Sequence, residues 1–239
     1  MRDMPVNRRS EMHHDPDAPP LNPLPPVVWL LVLPIAAVEL LFSLGARGLV
    51  GGPGAVGWRL AAFQDYAFSG QVFDWMLSTG RFPPEHLLRF VAYPFIHVSF
   101  THALFVVVFL LALGKMVGEV FRAWAVLAVF FSSSIVGAVA YGGLLNDPVP
   151  LVGGYPGVYG LIGAFTFLLW VNLGAVGANQ YRAFTLIGFL LGIQLLFRLL
   201  FGGANDWVAD IAGFAAGFVL SFVVSPGGWE HLVARLRQR

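Results

Sequence analysis

The sequence predicts an all-α membrane protein with six transmembrane helices and one long loop between the first two. Of its 239 residues, 57% are hydrophobic and only 11% are charged, and the mean hydropathy is +0.74. A soluble domain carries about 25% charged residues, because its surface must be hydrated. The chain therefore has too few charges for a soluble surface, and its apolar side chains are expected to face lipid.

Six apolar runs are each long enough to span a hydrocarbon core of roughly 30 Å, which takes about 20 helical residues. They lie at residues 27–44, 101–118, 122–141, 156–173, 182–201 and 207–225. The first run is long for the apolar part of a signal peptide and lacks a clear A-x-A cleavage site. We therefore expect it to be retained as a span.

These spans define the predicted domain organisation. Residues 1–26 form a disordered, proline-rich cytoplasmic tail, residues 27–225 form the membrane domain, and residues 226–239 form a basic cytoplasmic tail. The long loop at 45–99 mixes aromatic residues with charges, as in Trp58-Arg59. This mixture favours short helices in the headgroup layer over a loop that packs on the bundle.

Lysine and arginine in the short loops predict the orientation, because cytoplasmic loops carry more of both. With six spans they fall on one side, at Arg2, Arg8, Arg9, Lys115, Arg122, Arg182, Arg235, Arg237 and Arg239. Both termini are therefore expected in the cytoplasm, and the expected location is a bacterial plasma membrane. Arg198 lies near the outer end of span five and can extend its charge to the interface.

Polar side chains converge at the outer ends of spans two, four and six. His97 and His102 lie at the start of span two, Tyr155 and Tyr159 at the start of span four, and Asp210 about one turn into span six. Polar groups inside spans are costly and often functional. Two interpretations remain open: a water-accessible cavity with a polar floor, or a hydrogen-bonded cluster that ties the helices together.

Small residues predict which helices touch, because they let two backbones approach closely. They recur on span six at Ala209, Gly213 and Gly217, and on span four at Gly153, Gly157, Gly160 and Gly163. Packing of span four on span six would bring Asp210 toward Tyr155. The competing use of these faces is homo-oligomerisation.

Three blocks of the sequence resemble the rhomboid intramembrane serine proteases. The block "RFVAYPFIHVSFTHALFVVVFLLALGKMVGE" contains the family's arginine and two histidines five residues apart, and "ADIAGFAAGF" resembles A-H-x-x-G-x-x-x-G. The block "GGYPGVYGLIGAF" resembles G-A-S-G-A-x-F-G-L-x-G-A-F. The resemblance covers about residues 27–225 and implies a rhomboid-like six-helix bundle. Its supporting positions are Arg89, His97, Gly153, Pro156, Gly157, Tyr159, Gly160, Gly213 and Gly217.

The resemblance also implies where catalytic groups would lie. The family's serine nucleophile and its histidine base fall on Tyr155 and Asp210, and a one-residue gap would place Pro156 on the serine instead. The two oxyanion positions fall on His102 and Val106. No catalytic set is therefore intact, and Pro156 also removes a backbone N–H beside the former oxyanion site.

The favoured interpretation is a rhomboid pseudoprotease that binds transmembrane helices of other membrane proteins, which enter between spans two and five. In it, a hydrogen bond between Tyr155 and Asp210 clasps spans four and six. The alternatives are an active intramembrane serine endopeptidase with unusual residues and a small transporter that uses Glu39, His102 and Asp210 as a polar path. The chain has no cysteine, which excludes disulfides and thiolate metal sites, and no basic patch for nucleic acid. We expect no metal, no cofactor and no nucleic acid. The expected partners are transmembrane helices and the lipid bilayer.

Overall fold

The computed structural model describes residues 23–145, 147–201 and 205–226. Within these ranges the chain is helical and has no strand, apart from one isolated bridge between Phe68 and Leu151. The predicted tails 1–26 and 226–239 lie almost entirely outside the described residues. The α-helices are α1 Pro26–Ala46, α2 Trp58–Tyr66, α3 Gly70–Thr79, α4 Pro84–Ala92, α5 Phe100–Gly118, α6 Ala123–Leu144, α7 Tyr155–Ala175, α8 Thr185–Phe201 and α9 Trp207–Val224.

Five of these helices are long and apolar enough to cross a membrane: α1, α5, α6, α7 and α9. Each coincides with a predicted span. Helix α8 coincides with the remaining predicted span, and residues 202–204, which follow it, lie outside the described part of the structure. Length and composition therefore support five of the six predicted spans.

Helices α7 and α9 cross with their backbones in contact. A Cβ atom on Gly217 would lie 2.1 Å from the carbonyl oxygen of Gly160, and one on Gly213 would lie 2.3 Å from that of Pro156. A Cβ atom on Gly163 would lie 2.3 Å from the carbonyl oxygen of Phe214. The predicted packing of span four on span six is confirmed, and glycine is required at this crossing because no side chain fits.

Helix α6 also packs against the glycines of α7. A Cβ atom on Gly157 would lie 2.5 Å from the ring of Phe130, and one on Gly160 would lie 2.1 Å from Ser133 Oγ. The predicted packing of span four on span six therefore uses only part of this face, because Gly157 lies against α6. Four-residue spacing shows that a helix face is clear of side chains, but it does not show how many neighbours share that face.

The segment between α1 and α5 is fixed by a buried ion pair. Arg59 of α2 donates two hydrogen bonds to Glu39 of α1, with N–O distances of 2.7 and 2.8 Å. Ser43 donates a third to the same carboxylate at 2.9 Å. Arg59 also donates to the backbone carbonyl of His97. Glu39 is only 5% exposed, so these bonds compensate for the cost of burying its charge.

Further contacts seat this segment on the bundle. Arg89 donates to the carbonyls of Ala67 and Gln64, each at 2.8 Å. The Tyr93 hydroxyl donates to the Ser134 carbonyl on α6 at 2.7 Å. The segment contains the predicted short helices, α2, α3 and α4. Their exposed apolar side chains include Leu60, Trp75, Leu77, Leu87 and Leu88.

We predict that Gly217→Ala destabilises the fold by about 1–3 kcal/mol, because the added methyl group overlaps the α7 backbone. The matched control is Gly188→Ala on α8, where an added Cβ meets nothing within 4 Å. Alanine is the better helix former, so this variant should be neutral or more stable by up to about 1 kcal/mol. Thermal unfolding in detergent, followed by tryptophan fluorescence, measures both. Equal stability of the two variants would contradict the close crossing.

Candidate functional site

The start of α7 is shaped by two glycines. Gly153 has φ +95°, and its N–H donates to the carbonyl of Tyr93 at 3.0 Å. A Cβ atom on Gly153 would lie 2.6 Å from the imidazole of His102, and one on Gly154 would lie 2.9 Å from Val106. The Gly-Gly pair therefore lets α5 approach the first turn of α7. Val106 is fully buried and contributes packing at this contact.

His97 is built into the structure as a hydrogen-bond acceptor. Its Nε2 atom accepts from the Gly154 N–H at 3.3 Å, and its side chain is 1% exposed. Burial, followed by the nearby His102, lowers the pKa of His97 to about 3. The neutral imidazole therefore persists at physiological pH and can accept this bond. This bond also engages the backbone N–H of Gly154, the residue before Tyr155.

Tyr155 is the first residue of α7, and Pro156 lies in its first turn. Proline is well suited there because the first-turn N–H groups have no intrahelical partner. The Tyr155 ring stacks on His102 with centroids 5.1 Å apart and an interplanar angle of 17°. The lone pair of an imidazole lies in the ring plane, so a stacked His102 does not point that lone pair at the Tyr155 hydroxyl.

Asp210 is paired with a residue that the sequence analysis did not single out. Its Oδ2 atom accepts from Gln194 Nε2 of α8 at 2.9 Å, and Gln194 Oε1 accepts from the Tyr159 hydroxyl at 3.1 Å. The predicted bond between Tyr155 and Asp210 is wrong, because within the described residues Tyr155 makes no hydrogen bond to that carboxylate. Asp210 Oδ1 is buried and has no hydrogen-bond partner there.

Gln194 could have been found from the sequence. It is an uncharged hydrogen-bonding side chain in the apolar run "TLIGFLLGIQLLF". An amide inside a span needs a partner, so it could have been added to the polar groups of the other helices. Its hydrogen bonds join α7, α8 and α9, and we call this set of Tyr159, Gln194 and Asp210 the Gln194 clasp.

A cavity of about 280 Å³ adjoins the clasp. It lies between α5, α7 and α8, and Asp206 borders it just before α9. Tyr155 and Tyr159 line its polar end, while Ile162 and Leu190 line its apolar end. The hydroxyl groups of the described lining are phenolic, and it contains no serine, threonine or cysteine.

The serines of α6 and Glu39 do not line the cavity. Ser132 and Ser134 of α6 donate to carbonyls of their own helix, at Val129 and Phe130, as expected for serines in a span. The buried Ser133 Oγ between them has no hydrogen-bond partner in the described part of the structure. Glu39 is held by Arg59, away from the cavity lining. The side chain of Arg198 is outside the described part of the structure.

We predict that protonation of His97 weakens the fold. Its pKa is about 3 in the folded state and about 6.5 in an unfolded chain. The stabilisation is therefore complete above pH 6.5 and is lost as the pH falls toward 3, by up to about 1.4 kcal/mol per pH unit. His97→Gln keeps an acceptor that does not titrate in this range. Its melting temperature in detergent should fall less between pH 6.5 and 4 than that of the unaltered protein, and parallel curves would contradict this role.

Comparison with protein-family models identifies the family of this chain. The Rhomboid domain model matches residues 84–227, which is more than half of the chain and runs from α4 through α9. A search of curated proteins gave no match. The matched region contains Tyr155, His97 and the Gln194 clasp. The chain therefore belongs to the rhomboid family.

Proposed function

We propose that this protein binds transmembrane segments of other membrane proteins without cleaving them. The observation that carries the proposal is that two features occur together at the start of α7. A phenol that lacks a base stands at the position where the family has its serine nucleophile, and an open cavity adjoins it. Loss of the catalytic groups leaves a binding site for a helix.

The contacts of Tyr155 and Asp210 argue against catalysis. A hydroxyl nucleophile needs a base within hydrogen-bond reach, but His102 stacks on Tyr155 face to face. The Asp210 carboxylate is instead engaged by Gln194. An oxyanion also needs preorganised donors, whereas the Gly154 N–H is bound to His97 and Pro156 has no N–H. Val106 offers no donor at the second oxyanion position.

The cavity supports binding of a helix from the side. Phe109 of α5 and Ile193 of α8 both line it, and Ile193 is 40% exposed. Helices α7 and α9 cross with their backbones in contact, whereas Leu190 and Ile193 of α8 face the cavity. A helix that arrives through the lipid can therefore reach the cavity between α5 and α8 with little disruption of the central crossing.

We infer that α8 is the sixth span and that both chain termini face the cytoplasm. Lys115, Arg122 and Arg182 lie at the end of the bundle opposite to the start of α7, which makes that end cytoplasmic by the distribution of positive charge. The end at which α5, α7 and α9 begin, here named the polar end, then faces the outer side. Helices α2 to α4 lie in the outer headgroup layer with their exposed apolar side chains in lipid.

Site-specific photocrosslinking in liposomes tests the proposed function. A photoreactive amino acid at Ile193 should crosslink to an added single-span peptide, because Ile193 lines the cavity. The matched control position is Val139 on α6, which is similarly exposed at 43% and lies outside the cavity lining. We expect crosslinking at Ile193 to exceed that at Val139 by about fivefold or more, as for specific binding of more than about 1 kcal/mol.

Equal crosslinking at both positions would contradict the proposal, because it would reflect random collision in the bilayer. Unlabelled peptide provides the second control. It should compete with the labelled peptide at Ile193 and leave the signal at Val139 unchanged.

A further inference from the structure

Among the described residues, the Gln194 clasp is the polar connection between α8 and its two neighbours at the cavity. Its two hydrogen bonds, at 3.1 and 2.9 Å, join the Tyr159 hydroxyl to the amide and the amide to Asp210. A helix that widens the space between α5 and α8 must pull on these bonds. If the bonds break, Asp210 is left buried without a donor, which is unfavourable in an apolar environment.

The described polar groups around the cavity offer more acceptors than donors. Asp210 is 2% exposed, and its Oδ1 atom already lacks a hydrogen-bond partner. Asp206 borders the cavity, and although it is the N-cap residue of α9, its side chain accepts no capping hydrogen bond. None of the described residues that line the cavity is a lysine or an arginine.

This inference rests on the proposed function and concerns which segments are bound. We propose that the cavity selects transmembrane segments that carry a lysine or arginine near one terminus. This terminus lies beside the polar end of the bundle, and the cation lies about one helical turn into the segment. The cation would donate to Asp206 and to the Asp210 carboxylate as it displaces the amide of Gln194. Apolar residues below it would contact Ile162 and Leu190 at the other end of the cavity.

The physical reason is a difference between two environments for the same cation. A lysine inside a lone transmembrane helix is costly because hydrocarbon supplies no acceptor. In the cavity it meets the Asp206 carboxylate at the border and Gln194, whose amide holds the buried Asp210 carboxylate, and the Oδ1 atom of Asp210 lacks a hydrogen-bond partner. An apolar segment gains nothing of this kind and still has to break the clasp. Binding therefore favours the cationic segment.

Binding of defined peptides in vesicles tests the inference. Three Leu/Ala-rich helices of about 20 residues differ only at one position, one turn from the outer end: lysine, leucine or glutamate. Phosphatidylcholine vesicles contain no anionic lipid that would attract the cation. The chain has no native cysteine, so Val139→Cys carries a single dye for energy transfer to the peptide.

We expect the lysine peptide to bind about tenfold more tightly than the leucine peptide and the glutamate peptide to bind least tightly. In Asp206→Asn the preference for lysine should fall to about threefold or less, because a charged partner is removed. Asp206 is exposed and its side chain forms no cap, so this variant should keep its fold, which a melting curve checks. A peptide with its lysine at the opposite end should bind no more tightly than the leucine peptide.

The outcomes separate this inference from the proposed function. Equal binding of the lysine and leucine peptides overturns the selectivity and leaves helix binding intact. Absence of binding by every peptide overturns the proposed function as well. A lysine preference that Asp206→Asn does not change overturns the assignment to this cavity.

Discussion

The close crossing of α7 and α9 is the constraint on which the rest of the structure depends. Gly160 and Gly217 place two backbones in contact, and Gly213 lies against the carbonyl of Pro156. This contact sets the height of Tyr155 relative to Asp210. It also leaves no room for a side chain between the helices, so the polar groups at their ends must find partners on α5 and α8. The stacking on His102 and the bond to Gln194 are the result.

A second set of contacts fixes the start of α7 from the other side. Arg59 joins Glu39 to the backbone of His97, and the His97 side chain accepts from Gly154. The long segment between α1 and α5 is thereby connected to the N-terminus of α7. Because these groups are mostly buried, breaking one leaves its partner unsatisfied. The region around Tyr155 is therefore held by buried polar contacts, whereas α8 combines the clasp with apolar packing of Ile187 against the core.

Much of the fold could be predicted from the sequence, because long apolar runs and small-residue spacing depend on local chemistry. The five long spans and the crossing of Gly160 with Gly217 follow from these two signals. The pairing of Asp210 could not be predicted in the same way. Helical spacing shows that Tyr155 and Asp210 approach the same depth, but hydrogen bonding depends on side-chain direction and on competitors. Gln194 from a third helix was the competitor, and its isolated position in α8 was the signal that was missed.

The same reasoning explains the partner of Glu39. A carboxylate in the first span was expected to need a partner, and four arginines in the loop after it were candidates. Arg59 fulfils the role because α2 folds back against α1. Residues in a loop follow no helical spacing that would show what they face. The sequence therefore could not identify Arg59 as the partner of Glu39. The sequence did identify the glycines at which helices approach closely, because in the structure a Cβ atom on each of them would meet a neighbouring atom.

The central claim is that the rhomboid fold here binds helices without cutting them. The most direct measurement incubates the purified protein in lipid with transmembrane substrates, beside Tyr155→Phe and Asp210→Asn, and resolves the products by mass spectrometry. An active rhomboid protease in the same vesicles shows that the substrates can be cleaved. The account predicts intact substrates with all three forms of this protein. Cleavage by the unaltered protein that either substitution abolishes would contradict it.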